Sequence, residues 1–173
     1  MHQPMSKILG FSLVELLVAI LVLAVGLTGL AGMQIVGIRH NLSAYHRSIA
    51  TQLAYDMADR MRSNPVGAAN NLYNNGTSGS NATLCESVTR ACTPAQLAAY
   101  DLKRWNDDLA AKLPAGKGIV CLDSSPNVGD SSGDPSEHCD GLGKVYSIKV
   151  WWDDDRSGTT TQGFVTSFQL DGE

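Results

Sequence analysis

The sequence predicts an α+β protein: a long N-terminal α-helix packed on a small antiparallel β-sheet head that carries one extra helix. Three observations lead there. Residues 10–38 form an apolar run in which Glu15 is the single charged side chain. Apolar residues then recur every three or four positions as far as Met61. Near the carboxyl end the pattern switches to alternation, at residues 144–152 and again at 160–170. A period near 3.6 belongs to a helix with one buried face, and a period of two to a half-buried strand.

The apolar run has the length of a membrane helix, which takes about 20 apolar residues at 1.5 Å rise each. Lys7 and the amino terminus place positive charge before it, which keeps residues 1–10 in the cytoplasm and exports the rest. Gly10 precedes the apolar run, whereas a secretory signal is cut after its apolar region. Glu15 stands just inside the helix start. A lone carboxylate in the membrane costs about 2.5–3.5 kcal/mol, so this one needs a reason. Gly26, Gly29, Gly32 and Gly37 lie in the same run. They permit close helix approach or soften the helix, and glycine is also simply commoner in membrane helices.

Beyond Met33 the stripe is Ile35, Ile38, Leu42, Tyr45, Ile49, Leu53, Met57 and Met61. Asp56 and Arg60 are spaced for an i,i+4 pair. Asn64 precedes Pro65 and is therefore disfavoured in helix, so the helix ends near Ser63. A helix over residues 11–63 is about 80 Å long. Its polarity divides it into a membrane and assembly half, 11–38, and an amphipathic half, 39–63. Residues 64–92, rich in Asn, Gly, Ser and Thr, read as a loop. Thr93 and Pro94 suit the N-cap and first position of a second helix. Its buried face is Leu97, Ala98, Tyr100, Leu102, Trp105, Leu109 and Leu113, and Pro114 with Gly116 ends it.

The rest reads as antiparallel sheet. Residues 118–122 form a short strand and 123–143 a turn-rich loop. In 144–152, Tyr146, Ile148, Val150 and Trp152 make the core face, opposite Val145, Ser147, Lys149 and Trp151. Of the two adjacent tryptophans, one belongs to the core and the other suits a subunit interface. Residues 153–158 turn the chain, and Phe164, Thr166, Phe168 and Leu170 mark the returning strand. The expected organisation is a leader at 1–10, the two helix halves, and an exported head at 64–173.

All four cysteines follow the membrane run, and an even number in an exported region implies two disulfides. Three pairings are open; short loop closure favours Cys85–Cys92 and Cys121–Cys139. Zinc is disfavoured because no C-x-x-C occurs and His138 is the only histidine near a cysteine. Asp153, Asp154 and Asp155 lack the spaced ligands of a calcium loop and read as a solvated turn. There is no nucleotide-binding loop, GxSxG or HExxH. His40, His46 and His138 have no matched nucleophile nearby and read as surface histidines, so neither enzyme chemistry nor a cofactor is expected. Residues 64–173 carry eight basic and fourteen acidic side chains, which disfavours nonspecific nucleic-acid binding.

Gly10-Phe11-Ser12-Leu13-Val14-Glu15, preceded by Lys7 and followed by the apolar run, resembles the class III signal of type IV prepilins. Type IV pilins and type II secretion pseudopilins share that signal and a long-helix-plus-sheet head. The stretch CTPAQLAAYDLKRWNDDLAAKLPAGKGIVCLDSSP, with the later VWWDDDR, resembles the PilV family of minor pilins, the type IV pilus modification proteins. One departure is that no proline occurs between Pro4 and Pro65, where major pilins commonly carry one. The resemblance implies that a membrane prepilin peptidase cuts after Gly10 and N-methylates Phe11. It also implies that Glu15 neutralises the amino terminus of a neighbouring Phe11 in the fibre. Two opposite charges in an apolar bundle are costly alone and tolerable as a pair, so they would also set axial register.

The implied function is that of a minor pilin helping to start type IV pilus assembly, with a pseudopilin of type II secretion as the alternative. The implied partners are other minor pilins, the major pilin, the prepilin peptidase, an inner-membrane assembly platform and a tip adhesin. The implied location is the bacterial inner membrane with a periplasmic head, then the cell-surface pilus. A third class, a signal-anchored periplasmic enzyme, is disfavoured because a simple anchor needs neither Glu15 nor the Gly10–Phe11 junction.

Overall fold

The computed structural model describes residues 12–74, 76, 85, 91–125, 139–160 and 162–169. Gly10, Phe11 and His138, most of the 123–143 loop, and Leu170 lie outside them. The chain divides into two compact units, Met1–Leu42 and Ser43–Glu173. Helix α1 is continuous over Leu13–Ser63 and contributes to both. In the first unit it is long and apolar enough to cross a membrane, and every described side chain there is exposed.

In the second unit α1 ends where the sequence places its end. Asn64 leaves the helix with φ −123° and ψ 63°. Helix then restarts as α2, Pro65–Ala69, where the composition reads as loop. The reason is local: the Asn64 side chain accepts the Gly67 N–H at 3.1 Å, and Pro65 brings a φ already suited to a first helical position. Helix α3, Pro94–Lys112, opens with a reciprocal cap. Thr93 Oγ1 accepts from Gln96 N at 3.3 Å, and Gln96 Oε1 accepts from Thr93 N at 3.0 Å.

Three antiparallel strands follow in the order β1 (Lys117–Leu122), β2 (Tyr146–Trp152) and β3 (Gln162–Phe168). The register aligns Val120 with Ile148 and Ile148 with Thr166. Tyr146, Ile148, Val150 and Trp152 face the main core, as their alternation predicts. They share it with Leu53, Met57 and Met61 of α1 and with Leu102, Trp105 and Leu109 of α3. The Trp105 indole is fully buried and donates to the Leu53 carbonyl at 2.9 Å.

Two expectations change. The buried face of α1 keeps the outer part of the predicted stripe, with Leu53, Met57 and Met61 buried and Ile49 half-buried, but departs from it elsewhere. Leu42 and Tyr45 are exposed, while Ala50, Ala54 and Ala58 are buried with Leu53, Met57 and Met61. Apolarity alone ranks Tyr45 above alanine, but three alanines four apart form one row, and that row faces inward. The second face of the sheet is also covered at β1 and β2: all seven β2 residues are buried, whereas Gly163 and Ser167 of β3 are exposed. Trp151 is 1% exposed and packs with Ile119, Cys121 and Cys139, so it does not present an interface. On this face the Lys149 ammonium meets the Asp123 carboxylate, both buried. Cys121 is bonded to Cys139 with Cα atoms 6.1 Å apart, and Cys85 to Cys92 with Cα atoms 5.4 Å apart.

Candidate assembly segment and polar anchors of the head

Residues 12–42 form a surface rather than a pocket. Leu13, Leu17, Leu21 and Val25 are each more than half exposed. Thr28, the polar side chain in mid-run, satisfies itself by donating to the Ala24 carbonyl at 2.6 Å. A Cβ built on Gly26, Gly29, Gly32 or Gly37 meets nothing within 4 Å, so these flat positions are unfilled in one chain. Glu15 lies in the first turn of α1, where the unpaired N–H groups of a helix start favour negative charge. Among the described residues nothing bonds to its carboxylate. Of the predicted processing and assembly residues, the structure describes Glu15; Gly10 and Phe11 fall outside the described residues.

The head holds two polar clusters that sequence reasoning missed or misplaced. The first ties the end of α1 to α2 and α3. Asn64 Nδ2 donates to the Tyr73 hydroxyl at 3.0 Å and to the Pro94 carbonyl at 2.9 Å. Tyr73 donates in turn to Asp101 Oδ2 at 2.8 Å. Arg60 bonds Asp56 at 2.8 Å, the predicted i,i+4 pair, and its other arm lies 3.6 Å from Asp101. Burial pushes the Asp101 carboxyl above its ordinary range, against the opposing pull of Tyr73 and Arg60. Burial likewise pushes the Tyr73 phenol up. The available signal was position: Asp101 stands between Ala98 and Leu102 on the apolar face of α3.

The second cluster corrects the reading of His46 as a surface histidine. His46 is 5% exposed, and its Nδ1 lies 3.1 Å from Asp154 Oδ1. Trp152 Nε1 donates to the same oxygen at 3.1 Å. Burial pushes the Asp154 carboxyl up, but hydrogen bonds from Ser43, Trp152 and His46 outweigh it and hold the group below its ordinary range.

The neighbouring carboxylates serve their own turn. Asp153 accepts from Ser157 N and Gly158 N at 3.1 and 2.8 Å, and Asp155 accepts from Ser157 N at 3.1 Å. Asp153 is buried and anchors the turn, while Asp155, Arg156, Ser157 and Gly158 are exposed, so the turn is solvated beyond its first two residues. Among the described residues no group of three His, Cys, Asp or Glu side chains is placed to hold a metal ion.

Comparison with known proteins bears on both units. Residues 5–31 match the prokaryotic N-terminal methylation motif, and residues 32–103 match the family described as Type IV pilin Tt1218. No curated protein and no solved structure matches the chain. The first match covers the apolar run with Glu15, and the second runs from there through α2 into α3. The two matches meet without a gap over residues 5–103, and with a long helix followed by an antiparallel sheet they give the chain the N-terminal motif and the fold of a type IV pilin or pseudopilin subunit.

Proposed function

We propose that the chain is a minor pilin that helps to initiate type IV pilus assembly within a tip complex of minor pilins. The observation that carries the reading is the first unit. Its apolar side chains are all exposed in one chain, and its one carboxylate has no partner among the described residues. In this reading cleavage after Gly10 frees the Phe11 amino group, which is then methylated. Glu15 pairs with the Phe11 ammonium of a neighbouring subunit. A subunit slipped along the fibre would leave both charges unpaired in apolar surroundings, so the pair sets register. Before assembly the apolar helix stores the subunit in the inner membrane with its head in the periplasm. An assembly platform then extracts it toward the major pilin, and the head becomes part of the cell-surface pilus, where it is available to a tip adhesin.

The likeness of residues 92–126 and 150–156 to PilV minor pilins favours a pilus over a secretion pseudopilus. Deleting the chain, with surface pili and type II secretion scored separately, tests this. Loss of pili with intact secretion is the expected result; loss of secretion with normal pili would identify a pseudopilin.

A further inference from the structure

The two outer edges of the sheet differ. Residues 74 and 76 cover the β1 edge. Gly76 N donates to the Val120 carbonyl at 3.1 Å, Val120 N to the Gly76 carbonyl at 3.5 Å, and Leu122 N to Asn74 Oδ1 at 2.8 Å. No described residue pairs with β3 from outside. In an antiparallel ladder, alternate residues of an edge strand turn their N–H and C=O away from the sheet. The β3 segment QGFVTSF aligns with β2 over seven consecutive positions and holds no charge and no proline. Charge, proline and bulges are the usual means of blunting an edge, and this edge has none of them. The strand is also held firmly, since Phe164 and Phe168 pack on the core while Gly163 and Ser167 are exposed.

The geometry points to the outer edge of β3 as the place where a strand from a different pilin head adds to this sheet. A second copy of the chain does not fit the role. Pairing of β3 with another β3 is a two-fold contact that closes on itself, whereas an open filament is built from head-to-tail contacts. Pairing of β3 with the β1 of another copy is blocked by residues 74 and 76. Among the described residues, then, one edge is open and one is covered, which suits a subunit with a single, unlike neighbour. This rests on the reading of the chain as a low-copy pilin. Main-chain hydrogen bonds would supply the affinity, and the partner's alternate side chains the selectivity.

The test uses the full chain in cells that assemble it, with a benzophenone amino acid at Ser167 and, as a control, at Lys117 on β1. The expected product is a light-dependent adduct from Ser167, not from Lys117, to a strand of another pilin identified by mass spectrometry. Val165→Pro and Thr166→Pro are then added singly. Adjacent residues point to opposite sides, so one of the two leaves the β2 ladder intact, judged by protease resistance and by both disulfides. That variant should lose the adduct about tenfold, the effect of roughly 1.4 kcal/mol at the edge. An adduct between two copies of this chain, equal labelling from Lys117, no adduct at all, or an adduct that survives the folded proline variant would overturn the assignment. An adduct to a secretion pseudopilin would keep the edge and remove the pilus reading.

Discussion

Glu15, Asp101 and Asp154 are carboxylates in three different settings, and each makes a separate prediction. Glu15 has no partner among the described residues, and the partner proposed for it is the Phe11 ammonium of another chain. Glu15→Val should insert and be cleaved as before, yet its incorporation into sheared pili should fall by about tenfold or more, as an unpaired buried ammonium costs several kcal/mol. An immunoblot of the pilus fraction against the membrane fraction reads this.

Asp154 and Asp101 set opposite pH dependences. The Asp154 carboxyl is held below its ordinary range, so its stabilisation is present above that range and is lost as pH falls through the depressed value. The melting-temperature advantage of wild type over Asp154→Asn should therefore be largest near neutral pH and shrink below about pH 4. The Asp101 carboxyl is held above its ordinary range, so its stabilisation is present at low pH and is lost as pH rises through the raised value. Wild type should accordingly lose ground to Asp101→Asn as pH rises from about 4 toward neutrality. Thermal melts of both variants across that range decide the signs.

At the scale of elements, close approach and capping matter most. A Cβ on Gly118 would sit 2.3 Å from Trp105 Cη2 and 2.6 Å from Leu109 Cδ1, so β1 passes α3 with no room for a side chain. Gly118→Ala should cost about 1–3 kcal/mol by overpacking. Thr93→Ala removes one arm of the α3 cap and should cost about 1 kcal/mol. Denaturant titration measures both, with the glycine variant the more damaged. The break between α1 and α2 follows the same local logic. Asn64 and Pro65 end one helix and start the next, and Asn64 then stays in the core as donor to Tyr73 and to the Pro94 carbonyl.

At the scale of the molecule, the central strand β2 is covered on both faces, and the Cys121–Cys139 bond lies on the face away from the helices, against Trp151. The double variant Cys121→Ser with Cys139→Ser should lose about 2–4 kcal/mol in unfolding experiments. The long helix, its end at Ser63, the cap of α3, the three strands and the inward set on β2 were legible in the sequence, because each depends on spacing or on residues within a turn of one another. Glu15 was legible for the same reason, as a charge in an otherwise uncharged run. Tertiary contact alone decided the rest. His46 and Asp154 are 108 positions apart, and Tyr73 and Asp101 are 28 apart, so no local pattern announces either pair. The inward turn of the Ala50–Ala54–Ala58 row, the burial of Trp151 and the closed β1 edge likewise depend on what distant segments bring to them. Periodicity states which side chains share a face, and only packing states whether that face is covered.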